Sequence, residues 1–373
     1  MPMLVENLPN REGPPKGDPF PRSPNPAYIA QEKITLESFM EKRALGPGGP
    51  MVSAVGIGAM SFTDFYGPTT EADSHAVLSA ALDLGIDHID TANVYGMGLS
   101  ERVIGSFLAK QGKAREGMFR IATKASIRRD PDTGKRGFDN SREHLEAELD
   151  ASLAKLGVEA VDLFYVHRRD QSLPIEEVAD ILSGFVAAGK THSIGFSEIA
   201  PASLRRAAAV HPVAAVQSEF SLSTRAAELG LVQTCEALGT SLVAFSPVGR
   251  ALLTDRPPSA ESVAASGFLK VNPRFQEPNL SANLQITEGF RKLAREMDTT
   301  AAALSIAWLL WRSPSVIAIP GTRSVDHLKE LAAGGLLQLS DAEAAQVEAV
   351  LPVGWAHGDR YADAQWIGPE RFS

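Results

Sequence analysis

A chain of 373 residues, 44% hydrophobic and 22% charged with a mean hydropathy of −0.06, has the composition of a globular fold with a large core. Its net charge of −9 excludes the extended basic face that nucleic acid or an anionic membrane requires. Cys235 is the single cysteine, so no intramolecular disulfide can form, and no apolar run reaches the roughly 18–20 residues of a membrane span.

The first 30 residues hold eight of the 24 prolines and no apolar periodicity, and are expected to form a separate extension. They lack the basic-then-apolar order of a secretory leader, which with the lone cysteine points to a cytoplasmic setting. A hairpin is expected over residues 38–52, turning at Gly46-Pro47-Gly48-Gly49. From there short apolar runs alternate with amphipathic stretches. Strands are expected at 54–58, 88–90, 119–123, 162–165, 193–196, 215–217, 241–245 and 316–319. Helices are expected between and after them, at 71–84, 100–110, 141–156, 175–188, 201–210, 228–238, 301–311 and 325–331.

Eight strands, each followed by a helix, is the count that closes a parallel (β/α)8 barrel. An open doubly wound sheet would want a GxGxxG turn after its first strand, and the sequence has none there. The barrel is expected to span 31–361, leaving 362–373 as a C-terminal tail. Ser100 and Ser141 are candidate N-caps, and Gly85, Gly157, Gly189 and Gly239 candidate left-handed residues at helix ends. The stretches 125–140 and 247–283 break the spacing as long loops. Both fall at the C-terminal ends of strands, the face where a barrel keeps its active site.

Four polar residues stand at or just after successive strand ends: Asp90 and Tyr95 in IDTANVYG, Lys124 in ATK and His167 in YVH. A barrel gathers these ends on one rim. Together the four segments resemble the catalytic tetrad of the aldo-keto reductases, over roughly residues 36–361. The resemblance implies NADPH-dependent reduction of a carbonyl. Tyr95 would donate the proton, Lys124 would lower the phenol's pKa, Asp90 would hold Lys124, and His167 would orient the carbonyl oxygen.

It also implies a cofactor site without a Rossmann turn. Ser197 and Gln217 match positions that hold the nicotinamide carboxamide, and Phe245 one that stacks on the ring. Ser246, Pro247, Val248, Gly249 and Arg250 match a pyrophosphate loop. Gly321, Thr322, Arg323 and His327 match the pocket for the adenosine 2′-phosphate, with Glu330 near adenine. Glu330-Leu331 departs from the frequent Glu-Asn pair, and Glu198 stands where many relatives carry Asn.

For the substrate, Phe62 and Tyr66 in the first barrel loop and Trp355 in the segment before Tyr361 are expected to form an apolar wall. Such a wall suits a bulky, partly apolar carbonyl compound. That segment, WAHGDRY, resembles an ending found in a microbial branch of the family, and is expected to close over the site. No metal is expected, because the eight histidines show no HxxxH or HExxH spacing.

Two other readings use parts of the same sequence. A regulatory subunit similar to the potassium-channel β-subunits shares the fold and the nucleotide but does not depend on turnover. A barrel glycoside hydrolase would use Glu198 and Glu219 as its paired acids, and would need neither Tyr95 nor the PGTRS turn.

Overall fold

The computed structural model describes residues 40–129, 136–371 and 373. The expected N-terminal extension, residues 1–30, lies outside the described residues. The chain divides at Glu37/Ser38, and everything described belongs to the second unit.

That unit opens on a short antiparallel hairpin, β1 (Lys42–Ala44) and β2 (Met51–Ser53). Eight parallel strands follow: β3 (Ile57–Gly58), β4 (His88–Asp90), β5 (Arg120–Ala125), β8 (Leu163–Val166), β9 (Ile194–Ser197), β10 (Val213–Glu219), β11 (Ser241–Phe245) and β12 (Val316–Ala318). Each pairs with its neighbour in that order. The ring closes where Gly56 N donates to Ala318 O at 2.7 Å and Gly58 N to Pro320 O at 2.9 Å. This is the expected (β/α)8 barrel. Its strands are buried along almost their whole length, as parallel strands covered on both faces must be.

The hairpin has a definite job. Leu45 and Val52 join Ala122, Leu163, Tyr165, Ala215 and Val243 in the core inside the barrel. Gly46 N donates to Ser241 Oγ at the start of β11. The hairpin therefore plugs the end opposite the strands' C-termini. Arg43 fastens it, donating to the carbonyls of Ser313, Val316 and Leu310 at 2.7–2.9 Å.

Outer helices match the expected ones within a few residues, and local chemistry sets their ends. Thr70 and Asp73 form a capping box at α1 (Glu71–Asp83). Ser141 caps α3 (Arg142–Leu156), which ends at Gly157 in the left-handed region. At α2 (Leu99–Lys110) the N-cap is Gly98, and Ser100 lies inside the helix. The Ser100 hydroxyl is buried against Ala59 O and Thr91 Oγ1, both at 2.8 Å, so it fastens the helix to the barrel instead of capping it.

The expected loop at 247–283 contains a short helix at 260–265 and the start of an 18-residue helix, Asn279–Glu296. The loop at 125–140 carries a small hairpin, β6 (Ile127–Arg129) with β7 (Arg136–Phe138). Asp341–Val350 is a further helix that the sequence reading lacked. No described helix is long and apolar enough to cross a membrane.

Candidate active site

The tetrad side chains meet at the C-terminal ends of β4, β5 and β8. Lys124 is fully buried and donates to Asp90 Oδ1, and at 2.6 Å to the Thr91 carbonyl. Its Nζ lies 5.1 Å from the centre of the Tyr95 ring. The rings of Tyr95 and His167 stand edge to face, 5.9 Å apart. The Tyr95 hydroxyl makes no hydrogen bond among the described residues. On the inner side Lys124 Nζ lies 5.7 Å from the ring of Tyr165, which is out of contact with solvent. Gly195 leaves room for that ring, since a Cβ there would stand 2.6 Å from it.

Electrostatics inside this group differ in one respect from the sequence expectation. Burial raises the Tyr95 pKa, the Asp90 charge raises it further, and the opposing charge is that of Arg168. Lys124 was expected to supply that opposition. It is paired directly with Asp90 instead. Burial also pulls Lys124 down from the usual amine range, while Asp90 acts the other way. For His167, burial and then the charges of Arg168 and Lys124 hold the ring well below 6.5, so it is neutral at physiological pH.

The two expected carboxamide residues are fixed on this machinery. Gln217 Nε2 donates to Asp90 Oδ2 at 2.7 Å. Ser197 Oγ accepts from Arg168 Nη1 at 2.9 Å, and the same guanidinium nitrogen donates to His167 O at 2.7 Å. Arg168 carried no sequence signal beyond standing next to His167. Its backbone is pinned by Ser126 Oγ, which both accepts from its N–H and donates to its carbonyl at 2.9 Å.

After β11, where Phe245 is partly buried, the chain turns sharply. Ser246, Gly249, Arg250 and Ala251 all take positive φ. Gly249 is needed on two counts, a φ of +58° and a Cβ position 2.9 Å from Ser223 Oγ. Pro247 O accepts from Ser305 Oγ, and Val248 packs on the main core. Arg250 does not project freely from this loop. It is buried on Glu219, at 2.6 Å and 3.1 Å.

Glu219 is also within 3.7 Å of both Arg274 and Arg360, and Arg360 donates to Glu198 Oε1 at 3.0 Å, with a second ion-pair contact to Oε2 at 2.9 Å. Burial opposes ionisation of Glu219, but Arg250, Arg360 and Arg274 outweigh it and hold the carboxyl below its usual range. A hydrolase needs one of its paired acids protonated. Glu219 is held in the opposite state, and Glu198 is locked by Arg360.

The last turn, after β12, presents Arg323 and His327 on the surface, with Thr322 beneath them, at the N-terminus of α10 (Val325–Gly334). Arg323 Nη1 donates to Pro68 O at 2.6 Å, next to Tyr66 and Gly67 of the first barrel loop. Gly321 sits at the strand junction, where a Cβ would meet Gly58 O at 2.8 Å. Glu330 pairs with Arg256 of the long loop at 2.7 Å, which ties that loop to α10.

The three candidate substrate residues part company. Phe62 is 1% exposed and belongs to the main core. Trp355 is buried as well, donating from Nε1 to Leu222 O at 2.8 Å. Tyr66 remains at the surface. It lies 4.9 Å from Phe65, which in turn lies 5.1 Å from Phe268 of the long loop, so these aromatics join the two loops.

Comparison with known proteins agrees with this fold. The model of the Aldo/keto reductase family matches residues 54–352. An NADP(+) aldo-keto reductase of Schizosaccharomyces pombe, yakc, is 36% identical over 84% of this chain and 93% of its own length. A probable aldo-keto reductase of Glycine max is 37% identical over 88% and 93%. Among solved structures, the glycerol dehydrogenase of Gluconobacter oxydans superposes with a TM-score of 0.73 at 27% identity, covering 84% of this chain and 95% of that one. With the barrel, the strand-end tetrad and these relatives in agreement, the chain belongs to the aldo/keto reductase family.

Proposed function

We propose that this protein reduces an aldehyde or ketone to the alcohol with NADPH, acting in the cytoplasm, with Tyr95 as the proton donor. The observation that carries the reading is the buried Lys124–Asp90 pair beneath the Tyr95 and His167 rings, at the ends of neighbouring strands.

The cofactor residues fit the group. Ser197 and Gln217 each keep one hydrogen-bonding function unused, and Arg323, Thr322 and His327 gather at a helix N-terminus, where a phosphate dianion is favoured. These residues would hold the two ends of the dinucleotide, with Phe245 against the ring and the loop 246–249 along the pyrophosphate. When bound, NADPH supplies the hydride.

The chain's own residues do the rest. Neutral His167 donates to the substrate oxygen, which fixes its angle and polarises the carbonyl. Tyr95 holds its proton firmly in the free enzyme. It releases it as negative charge builds on that oxygen, and the cations of Lys124 and Arg168 then stabilise the phenolate. Tyr66 with Phe65 at the mouth favours a bulky, partly apolar substrate. The test is carbonyl-dependent NADPH oxidation across a panel running from aromatic aldehydes and ketones to free sugars. Absence of turnover with every carbonyl would refute the reading.

A further inference from the structure

Ser197 and Gln217 are polar groups whose directions are already decided by their neighbours. A hydroxyl has one proton to donate and lone pairs to accept with. Ser197 Oγ accepts from Arg168 Nη1, an obligatory donor, so the serine proton is left to point elsewhere. Among the described residues it has no acceptor. An amide has a donor end and an acceptor end, and Asp90 accepts only. Gln217 must therefore turn its NH2 to Asp90 Oδ2, leaving Oε1 as its free acceptor. Two adjacent strand ends thus present one O–H donor and one C=O acceptor. Both residues are at least 97% buried, where an unmatched polar group is costly.

From this we infer that Arg168 is a positioning residue for the cofactor. It fixes Ser197 as the donor for the carboxamide oxygen of the nicotinamide, while Asp90 fixes Gln217 as the acceptor for the carboxamide NH2. The inference rests on the cofactor reading above. A donor and an acceptor side by side match an amide in one orientation only, so they select which face of the ring meets the substrate. Arg168 also adds strength, since a hydroxyl that accepts from a guanidinium is a better donor in its turn. The same side chain holds His167 through its carbonyl, so ring orientation and carbonyl orientation share one anchor.

The test uses equilibrium binding, followed by intrinsic fluorescence, in the wild type, Arg168→Met, Arg168→Lys, Ser197→Ala and the Arg168→Met/Ser197→Ala double variant. Three probes separate the contacts. NADPH has the whole carboxamide, its 3-acetylpyridine analogue keeps the oxygen but lacks the NH2, and 2′,5′-ADP lacks the nicotinamide altogether. Arg168→Met should weaken NADPH and the acetylpyridine analogue alike, by roughly tenfold or more. It should leave 2′,5′-ADP unchanged and add nothing on the Ser197→Ala background. Arg168→Lys, which keeps the charge but not the planar guanidinium whose Nη1 reaches both His167 O and Ser197 Oγ, should fall between. It carries the test if the Met variant fails to fold.

Unchanged NADPH affinity in Arg168→Met, a full further loss in the double variant, or an equal loss for 2′,5′-ADP would each overturn the inference while leaving the cofactor reading intact. Failure of the wild type to bind either NADPH or 2′,5′-ADP would overturn both together.

Discussion

Arg250 reaches back from the long loop after β11 to Glu219 at the end of β10, 2.6 Å away, with both side chains buried. Arg274 and Arg360 converge on the same carboxylate, so one acid anchors three cations drawn from the two halves of the long loop and the C-terminal segment. Removing it would leave Arg250 and Arg274 buried without their carboxylate and crowded against Arg360, which keeps Glu198. Breaking a buried pair costs about 3–5 kcal/mol, while an exposed one is worth about 0–1 kcal/mol. Glu219→Ala is therefore expected to lower the unfolding free energy by about 3–5 kcal/mol in denaturant titrations. Lys292→Ala, at the exposed pair with Glu296, should change it by less than about 0.5 kcal/mol. Equal effects would mean that the cluster is not a structural anchor.

Cofactor choice should depend on the last strand–helix turn. Arg323 offers an exposed guanidinium at the N-terminus of α10, with His327 one turn on. A charge-assisted contact to a 2′-phosphate is worth about 1–3 kcal/mol. Arg323→Ala should cost NADPH that much affinity and leave NADH unchanged, measured by fluorescence titration with each nucleotide. A variant that weakened both alike would place the arginine outside the phosphate site.

How far the sequence could be read depends on how local each signal was. Strand ends were legible because parallel barrel strands are apolar runs closed by a polar residue, and Asp90, Lys124 and His167 each close one. The helix at 279–296 was not legible. It follows directly on Pro278 and has a mean composition too polar to stand out from the loop before it. Phe62 and Tyr66 are four residues apart in one loop, and nothing local reveals that the first turns into the core and the second toward solvent. Arg168 was missed for the same reason. Its partner Ser197 is 29 residues away, and adjacency to His167 is no signal by itself. Arg250 had the right place in the chain for a pyrophosphate contact, but its buried partner Glu219 comes 31 residues earlier.

The pH behaviour should reflect a neutral His167. Its folded pKa lies well below 6.5, held down by burial and by Arg168 and Lys124. The pH profile of carbonyl reduction should therefore show no inflection near 6.5. As the pH falls below about 6.5 the unfolded chain takes up a proton that the folded chain refuses. The stability contributed by the neutral ring is present above that value and declines below it. Unfolding free energies between pH 7.5 and 5 should fall less steeply in His167→Asn than in the wild type. Identical slopes would mean that the ring is not held neutral by the fold.

Tyr95 provides the sharpest separation between a reductase and a nucleotide-binding protein that merely shares its fold. Tyr95→Phe removes one hydroxyl that makes no hydrogen bond among the described residues, and keeps the ring against Lys124 and His167. Stability should therefore change little. Nucleotide affinity should also hold, because the expected contacts at Ser197, Gln217 and Arg323 lie on other strands. Turnover should fall by about 10²–10⁴-fold, the usual effect of losing a general acid. The ionisation raises the specificity of the test. Burial and Asp90 push the phenol above its ordinary pKa of 10, so the wild type keeps its proton across the neutral range. Its reduction rate should decline only when the pH rises past the ordinary phenol value, and the residual rate of the Phe variant should lack that alkaline limb. Lys124→Met tests the same link from below, by removing the cation that stabilises the phenolate as it forms. Single-turnover hydride transfer from bound NADPH, measured against pH in the three proteins, decides the matter. A Tyr95→Phe enzyme that matched the wild type would show that the proton comes from elsewhere, even on this barrel.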